Sequence, residues 1–192
     1  MLSKYRNFVF KAISKYVKKL SSLGIKPWHF TFLGLLLSLL YLYALATNSV
    51  LFAIIFLLAS GFMDVLDGAL AKTANILSKC GAYLDSMFDR LEDSAYYMGL
   101  IILNFNCYIV FLALALTLTL TYSKARLKNL GINEPRISLF ERSDRIVILA
   151  FILATYIVNS WFSNVLFSIY VFALTVIVVL RIITGYTDLS RT

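Results

Sequence analysis

The chain has 192 residues, 60% of them apolar, with a mean hydropathy of +0.82 and a net charge of +8. That much apolar surface cannot be hidden inside one soluble globule of this size, and several apolar runs exceed the ~18 residues that indicate a membrane-crossing helix; a soluble all-α domain is excluded. The positive charge gathers in blocks beside the apolar segments, where anionic lipid headgroups account for it, so a nucleic-acid partner is not expected.

In chain order, Leu2, Tyr5, Phe8, Val9, Ala12, Ile13, Tyr16, Val17 and Leu20 recur at steps of three and four, with lysines on the other side. The spacing predicts an amphipathic helix over 2–20 lying on the membrane surface. No short apolar core with a small-residue cleavage site follows, so it is not read as a signal peptide. Six apolar segments come next, at about 28–47, 49–71, 82–104, 107–126, 144–160 and 163–184. Each is long enough for a helical crossing. The expected fold is an all-α integral membrane protein: six transmembrane helices (a bundle over 28–184) after an N-terminal amphipathic surface helix, in a single domain spanning 1–192.

Lysines and arginines precede the first span, join the second to the third (Lys72, Lys79) and cluster between the fourth and fifth (Lys124, Arg126, Lys128, Arg136, Arg142, Arg145). The turns at 47–49, 104–106 and 159–164 carry none. The positive-inside rule then places both termini on the cytoplasmic side, in the plasma membrane. Cys80 and Cys107 fall on opposite sides and cannot pair with each other.

The chemistry concentrates in DVLDGALAKTANILSKCGAYLDSMFD, residues 64–89. Asp64 and Asp67 are three apart and Asp85 and Asp89 four apart, so each pair shares one face of its helix. An antiparallel hairpin brings both pairs to one depth, near the ends of their spans. Four carboxylates so close repel one another and require cations; an all-oxygen set suits hard divalent ions, and four aspartates can hold two Mg²⁺ or Mn²⁺. Gly68, Ala71 and Gly81 allow close approach to the backbone, and Lys72 beside them is a phosphate-binding charge. Small residues alone would signify ordinary helix packing; next to four aspartates they read as part of a site.

The string Asp64-x2-Asp67-Gly68-x2-Ala71-Lys72-x8-Gly81-x3-Asp85-x3-Asp89 resembles the signature of the CDP-alcohol phosphotransferases, integral membrane enzymes of phospholipid synthesis. Every spacing fits, and the one departure is Lys72, where the family usually has Arg. The resemblance implies transfer of a lipid-phosphate group from a CDP-lipid to an alcohol, with release of CMP and with two Mg²⁺ or Mn²⁺ held by Asp64, Asp67, Asp85 and Asp89. It implies Asp89 as the catalytic base, and Thr31, Gly68, Ala71, Lys72 and Gly81 around the nucleotide and pyrophosphate. It also implies a homodimer. His29, the only histidine, stands beside Trp28 and reads as an ordinary interfacial residue.

Lys124 and Arg126 close the fourth span, Arg142 opens the fifth, and Arg181 lies among apolar residues late in the sixth. Singly, each is a topology marker; together they fit a second anion. The arrangement resembles the subgroup that makes phosphatidylinositol phosphate, or its archaeal ether-lipid counterpart, from inositol 1-phosphate. That resemblance implies that Lys124, Arg126, Arg142 and Arg181 bind the phosphate of a phosphorylated polyol, with Arg145 an alternative to Arg142. Glycerol 3-phosphate presents the same phosphate and is the alternative acceptor, with serine behind it. A small cation transporter is a different class, since intramembrane acids also mark ion pathways. Such a protein would place acids near the midplane on broken helices.

Overall fold

The computed structural model describes residues 26–73, 78–132, 137 and 139–190, with 71–73 as backbone only. The amphipathic helix expected over 2–20 lies outside the described residues. These contain six α-helices and no strand: α1 Pro27–Ala46, α2 Val50–Thr73, α3 Lys79–Ile102, α4 Cys107–Asn129, α5 Arg142–Val158 and α6 Ser160–Leu189. Each apolar segment read from the sequence corresponds to one helix. Four are long and apolar enough to cross a membrane: Pro27–Ala46, Val50–Leu70, Cys107–Asn129 and Ser160–Leu189. The other two fall short for different reasons. α3 carries Asp85, Asp89, Glu92 and Asp93, and α5 has only 17 residues.

The chain divides into two compact units, Met1–Gly99 and Leu100–Thr192. In the first, Pro27 occupies the opening turn of α1, where its missing N–H costs nothing and its fixed φ suits a helix. His29 Nδ1 accepts from the Lys26 backbone N–H at 3.1 Å, so the one histidine helps to start this helix. The turn between α1 and α2 closes through Asn48, whose φ of 56° is a left-handed conformation that asparagine tolerates. Ser49 N–H then donates to Ala44 O at 2.8 Å. Tyr41, Ala44, Leu45, Ala53 and Leu57 are buried along these helices. α3 joins them through Tyr41, whose hydroxyl donates to Tyr96 O at 2.9 Å. Gly99 makes that approach possible, because a Cβ there would lie 2.5 Å from the Tyr41 ring and 2.6 Å from Leu45 Cδ1.

In the second unit the uncharged turns again rely on asparagine. Asn104 has a φ of 62°; the Asn106 side chain caps α4 by accepting from Tyr108 N–H at 3.0 Å, and that of Asn159 caps α6 by accepting from Phe162 N–H at 3.1 Å. Between these caps an aromatic core forms, with Phe105 edge-on to Phe167 at 5.4 Å and stacked near Tyr156 at 5.8 Å. Buried Ser163 donates to Ile152 O at 2.7 Å, which ties α6 to α5 beside their shared turn.

The tight fit at Gly99 gives a first prediction. Gly99→Ala forces Tyr41 or Leu45 to move and is expected to destabilise the protein by about 1–3 kcal/mol, seen as a lower thermal midpoint in detergent. An unchanged midpoint would show that α1 and α3 are not packed this closely.

Candidate active site and metal centre

Two helices of the first unit carry the acids. Asp64 and Asp67 lie one turn apart on α2, and Asp85 lies on α3; one carboxylate oxygen from each falls within 4.8 Å of the other two. Asp67 is only 5% exposed, while Asp64 and Asp85 are half-buried. α1 adds a donor to this group. The buried Thr31 hydroxyl donates to Asp67 Oδ2 at 3.2 Å, with Pro27 O as a second acceptor at 3.3 Å. A donor on one oxygen fixes the rotamer of Asp67 and leaves the other oxygen to face its neighbours.

Asp89 stands one turn beyond Asp85 on α3, half-buried, with Arg90 Nη1 3.9 Å from its Oδ2. The group of three oxygens does not include it. Gly68 follows Asp67 on α2, and the Gly81 N–H, at the start of α3, donates to Ser78 Oγ at 2.9 Å. The backbone of Ala71 and Lys72 belongs to the last turn of α2; their side chains lie outside the described residues. The donor set is made only of carboxylate oxygens, three of them already converged. That chemistry fits Mg²⁺ or Mn²⁺ and does not fit soft, thiolate-seeking metals.

Sequence reasoning missed a buried polar layer on the same helices. Glu92 is 1% exposed, and its Oε2 accepts from Ser60 Oγ at 3.1 Å and from the Tyr96 hydroxyl at 3.2 Å. Ser60 also lies 2.8 Å from Gly34 O on α1, and the Tyr96 hydroxyl lies 2.7 Å from Ser60 Oγ. The signal was present. Glu92 continues the stripe of Asp85 and Asp89 at the next helical step, but its partners Ser60 and Gly34 lie on other helices.

The second unit holds the basic residues. Lys124, at the end of α4, is exposed and its Nζ lies 2.8 Å from Glu141 Oε1, just before α5. Arg181 on α6 lies within electrostatic reach of the same glutamate. Lys124 and Glu141 are paired at the adjoining ends of α4 and α5, whereas Arg126 is exposed. Arg142 opens α5, within electrostatic reach of Arg145. Arg145 is 3% exposed, and its Nη1 donates to Phe140 O at 3.0 Å. Arg181 is also 3% exposed, yet its Nε and Nη1 have no hydrogen-bond partner among the described residues. A buried guanidinium with unused donors is costly, and an anion would satisfy it.

Known proteins match this arrangement along most of the chain. Residues 25–179 match the family model for CDP-alcohol phosphatidyltransferase. An archaetidylinositol phosphate synthase of Pyrococcus horikoshii is 36% identical over 150 residues, covering 78% of this chain and 80% of that protein. Another, of Methanothermobacter thermautotrophicus, is 32% identical over 166 residues, covering 85% and 83%. The crystal structure of phosphatidylinositol phosphate synthase from Mycobacterium tuberculosis, in complex with manganese and citrate, superimposes with a TM-score of 0.78 at 22% identity, covering 91% of this chain and 88% of that one. With a match of this extent, four apolar spanning helices and the acidic signature on α2 and α3, the chain belongs to the CDP-alcohol phosphatidyltransferase family and is a membrane enzyme of that type.

Proposed function

We propose that the protein transfers the lipid-phosphate group of a CDP-lipid to inositol 1-phosphate, releasing CMP. The observation that carries the choice of acceptor is Arg181, buried with two guanidinium nitrogens unsatisfied, in the same unit as the Lys124–Glu141 pair. A phosphorylated polyol supplies the missing acceptor oxygens; serine and free inositol bring no net anion. The names of the two archaeal relatives support the same acceptor. Glycerol 3-phosphate offers the same phosphate on a smaller polyol and is the second reading. The donor is CDP-diacylglycerol or CDP-archaeol, which share one pyrophosphate.

On this reading Asp64, Asp67, Asp85 and Asp89 hold two Mg²⁺ or Mn²⁺, which neutralise the pyrophosphate and stabilise the leaving CMP. Thr31 keeps Asp67 oriented, and Gly68, Ala71, Lys72 and Gly81 border the nucleotide and pyrophosphate. Lys124, Arg126, Arg142 and Arg181, with Arg145 as the alternative to Arg142, hold the acceptor phosphate. The acceptor hydroxyl attacks the lipid-bearing phosphorus directly. The new O–P bond forms as the bond to the CMP oxygen breaks, and Asp89, outside the three-oxygen group, takes the hydroxyl proton.

The setting is a six-span, single-domain protein in the plasma membrane, with α3 and α5 as the remaining two spans. Its active site and both termini face the cytoplasm, and the chain pairs as a homodimer. The uncharged turns at Asn48, Asn104 and Asn159, against the lysines and arginines at the other helix ends, support the orientation.

Purified protein in detergent with a CDP-lipid and Mg²⁺ is expected to release CMP with inositol 1-phosphate and not with serine. Chelation should stop the reaction, and Mg²⁺ or Mn²⁺ should restore it. Release with glycerol 3-phosphate alone would replace the acceptor and keep the anion site; no release with any acceptor would return the cation-transporter reading. Asp89→Asn should lower kcat at least about 100-fold while the protein stays folded, as loss of a general base requires. Turnover like that of the unsubstituted protein would remove Asp89 from this role. Arg181→Gln should raise the KM for inositol 1-phosphate about 10- to 100-fold, because a charge-assisted hydrogen bond is lost, with little change in the KM for the CDP-lipid. Equal loss for both substrates would contradict a specific acceptor contact.

A further inference from the structure

Glu92 is the most completely buried acid among the described residues, and the proposed reaction gives it no task. Its surroundings come from three helices. Ser60 of α2 and Tyr96 of α3 donate to Oε2, at 3.1 Å and 3.2 Å. On the α1 side stands a glycine: a Cβ at Gly34 would lie 2.8 Å from Glu92 Oε1, so the carboxylate in its present position requires that no side chain stand there. Ser60 Oγ also lies 2.8 Å from Gly34 O, an alternative acceptor for its single proton. Each of these positions lies on the same helix as a member of the acidic site, one or two turns away. Gly34 follows Thr31 by three residues, Ser60 precedes Asp64 by four and Asp67 by seven, and Glu92 follows Asp89 by three and Asp85 by seven. At 1.5 Å per residue these separations are about 5–10 Å along the helix axes.

Apolar helix faces of Leu, Ile and Phe can slide or rotate against each other at little cost. A buried carboxylate cannot, because any slip that breaks its hydrogen bonds strands it in hydrocarbon. We infer that Glu92, clasped by Ser60 and Tyr96 beside Gly34, is a positioning residue that sets the register of α1, α2 and α3 and so holds Asp64, Asp67 and Asp85 at metal-binding separation. The inference rests on the proposed reading of these aspartates as metal ligands. Glu92 does not itself touch the ions or substrates; it acts through helix placement.

The test is Mn²⁺ binding by the full-length protein in detergent, followed by electron paramagnetic resonance, with thermal midpoints recorded in parallel. Glu92→Ala is expected to raise the Mn²⁺ Kd about tenfold or more at temperatures where the variant is folded, as loss of outer-sphere support does at metal sites. Glu92→Gln, equal in length and able to accept and donate, should recover most of the affinity. A Glu92→Ala protein with a lower midpoint but an unchanged Kd has lost only stability, and the inference is overturned. If Glu92→Ala does not fold, Ser60→Ala decides: it removes one oxygen from the clasp and should weaken Mn²⁺ binding, and unchanged affinity overturns the inference. Asp67→Asn provides the control. No Mn²⁺ binding by the unsubstituted protein would overturn the metal reading itself, whereas binding lost in Asp67→Asn and intact in the Glu92 and Ser60 variants overturns the positioning role alone.

Discussion

A carboxylate buried among packed helices must be neutralised or hydrogen-bonded, because a charge taken from water without a partner is costly. α3 places Asp85, Asp89, Glu92 and Asp93 on a single helix, and the first unit is organised around that burden. α1 contributes a threonine hydroxyl to Asp67 and a glycine where Glu92 needs room; α2 contributes Ser60 and two further aspartates. Neither α1 nor α2 carries a basic residue at these positions, which would cancel the negative potential that a divalent ion requires. Hydroxyl donors satisfy lone pairs and leave the charge in place.

The sequence made the local features of this arrangement readable and hid the non-local ones. Apolar runs located the six helices of the described residues, because their length and composition need no knowledge of neighbours. Their edges moved where polar residues continue a helix beyond its apolar stretch, as α6 does in running to Leu189 rather than 184. The convergence of Asp64, Asp67 and Asp85 follows from the three- and four-residue spacing on adjoining helices. Thr31 was named by resemblance as a nucleotide contact, and the structure shows its hydroxyl donating to Asp67 instead of leaving it free on α1. Glu92 escaped notice because one glutamate in a run of acids reads like any other; the glycine facing its carboxylate, Gly34, lies 58 positions away. Arg142 and Arg145 could not be separated at all. Both open the same helix, and only the backbone near Phe140, with a φ of 54°, brings a carbonyl to Arg145 Nη1.

The acids of the first unit and the cations of the second are held by different means, and the difference bears on how such an enzyme acquires its substrate. Aspartate is short, so the position of its oxygens is essentially the position of its backbone, and the helices must be fixed before the site exists. Lysine and arginine are long, and their charged ends adjust on flexible stems. The Lys124–Glu141 pair is partly exposed, and pairs of that kind contribute only about 0–1 kcal/mol, so on the proposed reading an incoming phosphate can open it without disturbing a helix. Arg181 is the exception, since burial fixes its stem and leaves two donors unmet. On the proposed reading, a rigid acidic centre keeps the pyrophosphate chemistry constant while an adaptable basic cluster recognises the acceptor. Changing the acceptor then requires replacing long side chains at helix ends, which leaves the packing around the aspartates intact and confines selectivity to the part of the molecule that can vary cheaply.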